Sequence, residues 1–379
     1  MTAPISDHRI TSPSGRLRSF KKIGPSLLVI ASIIIGILAV ELSCQLFCSS
    51  IRRTQIVYKA IHRVIFFDGR DTIFRNHEDI FTYVPHSDIR NLTAFFSAND
   101  FEVEYDYHFR TNNFGLVQDA DVMPRQASLL LLGDSFTEGQ GAEPWFRLVS
   151  PEIEKLGYQA VNGGLRGTGF EHWLKLERYL AANDIQIRKL VVLFISDDYQ
   201  RPVRNFDPSE LRCLSTLTAC RGEETYYYRL PPPDELSSWI AKIRTDRATI
   251  MKKIWFKTRA EALLPGTYRV YKFLSERSDP AEQQSRAAIA ELIRVYGPEN
   301  VAFMHLPQEG EIDGPKDLGL RARYSIEEAG GKLLDGFKLC RLTSRDYYSN
   351  DGHPNRGGYA KIAFCVTNVI KQVIADNRG

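Results

Sequence analysis

Residues 129–132 are four consecutive leucines, and Gly133-Asp134-Ser135-Phe136-Thr137-Glu138-Gly139 follows them. An apolar run this short, ended by a glycine, predicts a strand buried on both faces rather than a helix. An open α/β sheet places its chemistry just beyond the carboxyl ends of its strands, and Gly133-Asp134-Ser135 falls there. Pro144 to Leu156 has a helical pattern. Ser135 is therefore expected in a strand-to-helix connection, where backbone N–H groups are open to an anion. An ordinary turn with a capping serine fits the same residues.

Near the other end, Asn350-Asp351-Gly352-His353-Pro354-Asn355 precedes a helical pattern from Gly357 to Val373. A serine after the first strand and an Asp/His pair before the last helix are the parts of a Ser-His-Asp triad. In these two blocks the chain resembles the SGNH (GDSL) hydrolases, of the membrane-anchored bacterial cell-envelope type, over roughly residues 125–375. The resemblance implies a three-layer α/β/α sandwich with a parallel, flavodoxin-like sheet. It also implies a nucleophile at Ser135 and a base at His353. The family's usual acid lies three residues before the histidine, where this chain has Asn350. Some relatives use Asp-x-His, so the acid is assigned to Asp351, with Asn350 and Asp134 in support.

Tyr158 to Asn162 reads as the second strand and runs into Asn162-Gly163-Gly164-Leu165-Arg166-Gly167-Thr168-Gly169. The family's second block is a glycine in such a loop, its N–H aimed into the oxyanion hole; Gly167 matches best, beside the N–H of Ser135. Leu190 to Ile195 is another buried strand, ending in Ser196-Asp197-Asp198. The third block would carry an asparagine amide where this chain has Asp197, followed by Asp198 in support. An ionised carboxylate accepts only and repels a developing oxyanion. His305, alone at a strand end, is expected to be structural.

The net charge of +3 is too small to argue for nucleic acid, and no nucleic-acid motif is present. Six cysteines, none in a CxxC pair, exclude a zinc-ribbon arrangement. No metal or organic cofactor is expected. Residues 1–22 form a basic tail, and Ile23 to Val40 carries no charge. Those residues would span about 27 Å as a helix. This predicts a single-pass signal anchor over 23–47, with the tail in the cytoplasm and the rest periplasmic or extracellular, at a bacterial inner membrane.

Residues 48–125 read as an extension packed on the catalytic domain, 126–379. Within it, Phe101 to Phe109 alternates as a half-buried strand, and Asn91-Leu92-Thr93 matches a glycosylation sequon. Residues 201–280 break the strand-helix rhythm and read as an insertion. Cys213 and Cys220 bracket a loop that a disulfide would close outside the cytoplasm. Lys242 to Arg259 is basic, most simply the solvated face of a helix. Leu333 to Leu342 is expected to supply the last strand, and Cys340 and Cys365 are left unpaired. The function expected is a serine-dependent O-acyl, chiefly acetyl, esterase or transferase acting on a cell-envelope or exported glycan. The alternatives are a degenerate domain that binds glycan or scaffolds an envelope complex, and a lipid esterase or thioesterase.

Overall fold

The computed structural model describes residues 23–47, 62–68, 73–96, 101–142, 144–206, 227–246, 264, 266–267, 280–312 and 320–375. The basic tail, the Cys213–Cys220 loop and most of the 242–259 basic stretch lie outside them. The chain divides into two units, Met1–Val57 with Lys257–Arg277, and Tyr58–Phe256 with Ser278–Gly379.

In the first unit, Ile23–Phe47 is a helix of 25 residues. Leu28, Val29, Ile30, Ile33, Ile34, Ile35, Leu38 and Leu42 are exposed on it. Its described side chains run only over 28–39 and 41–43. Among the described residues no helix is long and apolar enough to cross a membrane. Glu41 accepts hydrogen bonds from the backbone N–H groups of Gly266 (3.0 Å) and Thr267 (3.2 Å).

The second unit holds eleven described strands. The first five are β1 (His62–Asp68), β2 (Phe74–His77), β3 (Ile80–Tyr83), β4 (Asp88–Phe96) and β5 (Phe101–Arg110). The others are β6 (Ala127–Gly133), β7 (Gln159–Gly164), β8 (Gln186–Phe194), β9 (Tyr227–Arg229), β10 (Val301–His305) and β11 (Lys332–Asp335). The leucine run is β6, near the middle of a five-stranded sheet ordered β11-β10-β8-β6-β7. Every pairing in that sheet is parallel. Counted within the sheet, the order is 2-1-3-4-5, the doubly wound flavodoxin-like order, whose switch point falls between β6 and β8.

Leu129 and Leu131 pack on one side against the helices Phe146–Lys155 and Arg356–Ala375. Leu130 and Leu132 pack on the other against Phe170–Ala182 and Pro280–Tyr296. All four are fully buried, because alternate side chains of one strand each meet a helical layer. Lys332–Asp335 is the last strand, shorter than the 333–342 expected from sequence. Asp335 caps a following helix, Gly336–Cys340, by accepting from Phe337 N at 3.1 Å. That helix brings Cys340 to Cys365 of the last helix, and the two form a disulfide.

The extension is a sheet of its own, ordered β5-β4-β1-β9. β1 pairs antiparallel with β4 and parallel with β9, so part of the presumed insertion returns to complete the sheet that begins the domain. Ile65, Phe67, Tyr105, Tyr107 and Phe109 join the core shared with the Phe170–Ala182 helix. Val64 and Phe66 face the other way, against Ile243. The sequon lies inside this sheet: Asn91 and Thr93 are fully buried, and Asn91 Nδ2 donates to Phe66 O at 3.2 Å. It offers no glycosylation acceptor on the folded surface.

Candidate active site

Ser135 opens a short helix, Ser135–Glu138, directly after β6. The turn requires glycine at 133: a Cβ there would lie 1.9 Å from Thr137 Oγ1 and 2.6 Å from Leu193 O. Asp134 caps the helix by accepting from Phe136 N at 2.9 Å, and its Oδ2 lies 3.2 Å from Ser135 Oγ. His353 arrives on a loop closed by the Tyr347–Pro354 bridge and by Tyr348 N donating to His353 O at 2.8 Å. Its Nε2 lies 2.8 Å from Ser135 Oγ. Its Nδ1 lies 2.6 Å from Asp351 Oδ2, an ion-pair distance with a bent N–H direction. The structure thus brings Ser135, His353 and Asp351 into one chain of contacts. Asn350 turns away, its backbone N–H donating to Glu104 at 2.7 Å.

Asp351 is clamped by the extension sheet. Arg63 Nη1 on β1 donates to Oδ1 at 2.7 Å, and the Tyr105 hydroxyl on β5 donates to Oδ2 at 2.6 Å. Gln140 Nε2 in turn donates to the Tyr105 oxygen at 2.7 Å. Burial alone would raise the Asp351 carboxyl, but His353, Arg63 and Tyr105 together hold it well below the usual carboxylate range. Burial, and then the neighbouring Asp351 charge, push the Tyr105 hydroxyl well up, so it stays a donor. Tyr105→Phe and Arg63→Gln are each expected to lower kcat about tenfold, the worth of one hydrogen bond to a charged group, with little change in KM. Steady-state kinetics check this; unchanged kcat in both variants would remove the clamp from the mechanism.

Gly167 is exposed at φ +71° and lines the Ser135 cleft. The residue before it is fixed to the nucleophile helix. Arg166 N donates to Glu138 Oε2 at 2.9 Å, and its guanidinium pairs with the same buried carboxylate. Tyr83 adds a third donor to Glu138 at 3.1 Å. The loop carrying Gly167 is therefore tied to the helix carrying Ser135.

The three residues at the end of β8 separate. Ser196 points inward, 3.0 Å from His305 Nε2, and donates to Glu311. His305 stacks on Phe194, and burial lowers its pKa to about 4, so it is a neutral structural group. Asp197 is exposed on the cleft and accepts from Gln308 Nε2 at 3.0 Å. Asp198 is buried and accepts from Ile195 N at 2.9 Å. Burial and the nearby Asp134 push its carboxyl well up, opposed by Arg201, which bonds both acids.

The cleft that joins Ser135, Gly167, Asp197, Asp351 and His353 encloses about 390 Å³. Among the described residues no cluster of side chains is suited to hold a metal ion. The sequence missed Arg63, Tyr105, Gln140, Glu138, Arg166 and Arg201. For Tyr105 a signal existed: the alternation of residues 101–109 puts it on the inward face with Tyr107 and Phe109.

No family model matches the chain, and no curated protein matches it. Several solved structures are similar. A member of the lipolytic G-D-S-L family from Veillonella parvula is 11% identical over 65% of this chain and 99% of its own, with a TM-score of 0.34. The esterase EstA from a Pseudoalteromonas species is 14% identical over 65% and 98%, also at 0.34. A candidate GDSL-like lipase from Bacteroides ovatus is 12% identical over 83% of each chain, at 0.35. Two of these neighbours are described as GDSL-type lipolytic proteins and one as an esterase, but a likeness at such TM-scores carries no argument about chemistry, which rests on the side chains of the cleft.

Proposed function

We propose that this chain cleaves or transfers an O-acyl group through an acyl-enzyme at Ser135. The observation that carries the reading is the chain of contacts Ser135 Oγ, His353 Nε2, His353 Nδ1 and Asp351 Oδ2, at 2.8 Å and 2.6 Å. His353 takes the serine proton as Oγ attacks the ester carbonyl, and returns it to the leaving alcohol. Asp351 orients the ring and stabilises the imidazolium that forms. The backbone N–H groups of Ser135 and Gly167 are the candidate oxyanion donors; Asp197 supplies none. Water reaching the acyl-enzyme gives an esterase, and a sugar hydroxyl gives a transferase.

The finer reading is an acetyl group on a cell-envelope or exported glycan, with the enzyme held at a bacterial inner membrane through residues 23–47 and its catalytic part outside the cytoplasm. Two observations support that placement. The Ile23–Phe47 helix exposes a row of large apolar side chains, and the Cys340–Cys365 disulfide suits an oxidising compartment.

The test is active-site titration of the full chain in detergent with a fluorophosphonate, read by intact mass and peptide mapping, alongside 4-nitrophenyl acetate turnover. One phosphonyl group per chain on Ser135, with turnover lost in step, is expected. Ester turnover that survives complete labelling, or no label at Ser135 in folded protein, would overturn the reading.

A further inference from the structure

Beside the nucleophile stands a guanidinium that the acyl chemistry does not consume. Among the described residues Arg201 directs its bonds through one nitrogen: Nη1 donates to Asp198 Oδ1 at 2.5 Å, to Asp134 Oδ2 at 2.8 Å and to Thr168 O at 3.3 Å. Asp134 Oδ2 is the same oxygen that lies 3.2 Å from Ser135 Oγ. A shared partner at 2.8 and 3.2 Å holds Arg201 Nη1 within about 6 Å of the nucleophile. Burial disfavours the charged form, but Asp198 and Asp134 outweigh it, and Arg201 remains a cation.

The other edge of Arg201 is open. Nε and Nη2 present two parallel N–H donors, the pair that matches the two oxygens of a carboxylate. Among the described residues neither has a partner, and the side chain is one-quarter exposed, on the cleft. At three other described arginines that edge is filled by a carboxylate. Arg90 gives Nε and Nη2 to Asp106, at 2.9 and 2.6 Å. Arg147 gives both to Asp119, at 2.6 and 2.9 Å. Arg166 gives both to Glu138.

We propose that Arg201 fills its open edge with a carboxylate of the substrate, held bidentately beside the ester bond under attack. The inference rests on Ser135 being the acyl acceptor and adds the substrate class, an ester that carries a carboxylate. Arg63, Arg166 and Arg204 also line the cleft, as do Asp197, Glu309 and Asp351. The opposing charges make the net field small, so recognition comes from the two-point bond, and repulsion by the acids keeps the carboxylate from lying beside them. The carboxylate can belong to the acyl group or to the alcohol.

The experiment has a binding arm and a turnover arm, both on the full chain in detergent. In the binding arm the Ser135→Ala protein is titrated calorimetrically with monomethyl succinate and with dimethyl succinate. The monoanion is expected to bind about 10- to 100-fold tighter, the size of a charge-assisted bidentate bond. The difference should collapse on adding Arg201→Gln and be partly kept with Arg201→Lys. In the turnover arm, kcat/KM ratios are taken for 4-nitrophenyl hydrogen succinate against 4-nitrophenyl acetate, and for acetylated polygalacturonate against acetylated xylan. A raised first ratio places the carboxylate on the acyl side; a raised second ratio places it on the alcohol. Ratios near one in both pairs would overturn the proposal, as would equal binding of the two succinates without a raised second ratio. The binding arm needs no turnover, so a chain that binds the monoanion selectively but hydrolyses nothing would sink the acyl-enzyme reading instead. Ratios within each variant are insensitive to a fraction of misfolded protein.

Discussion

Replacing Ser135 with alanine is expected to lower kcat on an activated ester by about 10⁴- to 10⁶-fold, the loss seen when one member of a working triad is removed. The substitution is structurally mild. It deletes one oxygen whose protein contacts are His353 Nε2 and Asp134 Oδ2. Asp134 keeps its bonds to Phe136 N and Arg201, so the cap that shapes the turn survives. Unfolding by denaturant should move little, and a lost rate then reports lost chemistry. A residual rate above water is expected from the cleft and the backbone donors alone. A variant that keeps the wild-type rate would mean that the serine is not the nucleophile, and His353 would need another partner.

Replacing Asp351 with asparagine is expected to cost about 10⁴-fold in kcat, and the reason is a tautomer. Three donors converge on this carboxylate: His353 Nδ1, Arg63 Nη1 and the Tyr105 hydroxyl. An asparagine keeps one acceptor oxygen, which Arg63 takes most strongly. Its NH₂ then faces the imidazole and favours a bare Nδ1, which puts the ring proton on Nε2. A protonated Nε2 cannot accept the serine proton. Asn350→Ala should change kcat little, because Asn350 bonds Glu104 and Glu102 rather than the imidazole. The reverse pattern would exchange the two assignments.

The same carboxylate makes a pH prediction for the wild type. Its folded pKa lies below the unfolded value of about 3.9, so its contribution to stability is complete above that pH and is lost as the pH falls below it. Asp351 therefore stays ionised across the working range, and any acid limb in kcat/KM above pH 5 belongs to another group.

What the sequence showed and what it hid divide along a physical line. The leucine run and the turn after it were legible because a parallel strand buried on both faces leaves a continuous apolar signature, whereas the parallel, flavodoxin-like sheet followed from the resemblance and its strand order from the structure. Asp351 and His353 were legible because they sit two apart on one loop. Arg63 was not, since its partner lies 288 residues away in the chain. β1 lay within residues 48–125, read only as an extension, and β9 lay inside an apparent insertion. Of the third block only Asp197 reaches the cleft, the position expected for it, while Ser196 turns to His305 and Glu311.

The clamp on Asp351 also sets the order in which the molecule can become competent. Ser135 and His353 are 218 residues apart, and Arg63 reaches across 288 to hold the acid. Loops that long close late, because their ends are brought together only after local structure has formed. During synthesis the nucleophile emerges when neither its base nor the base's acid exists, so the nascent chain is inert toward esters. An acyl-enzyme mechanism through Ser135 would need the His353 loop in place, so a product truncated before residue 351 is expected to be silent toward esters.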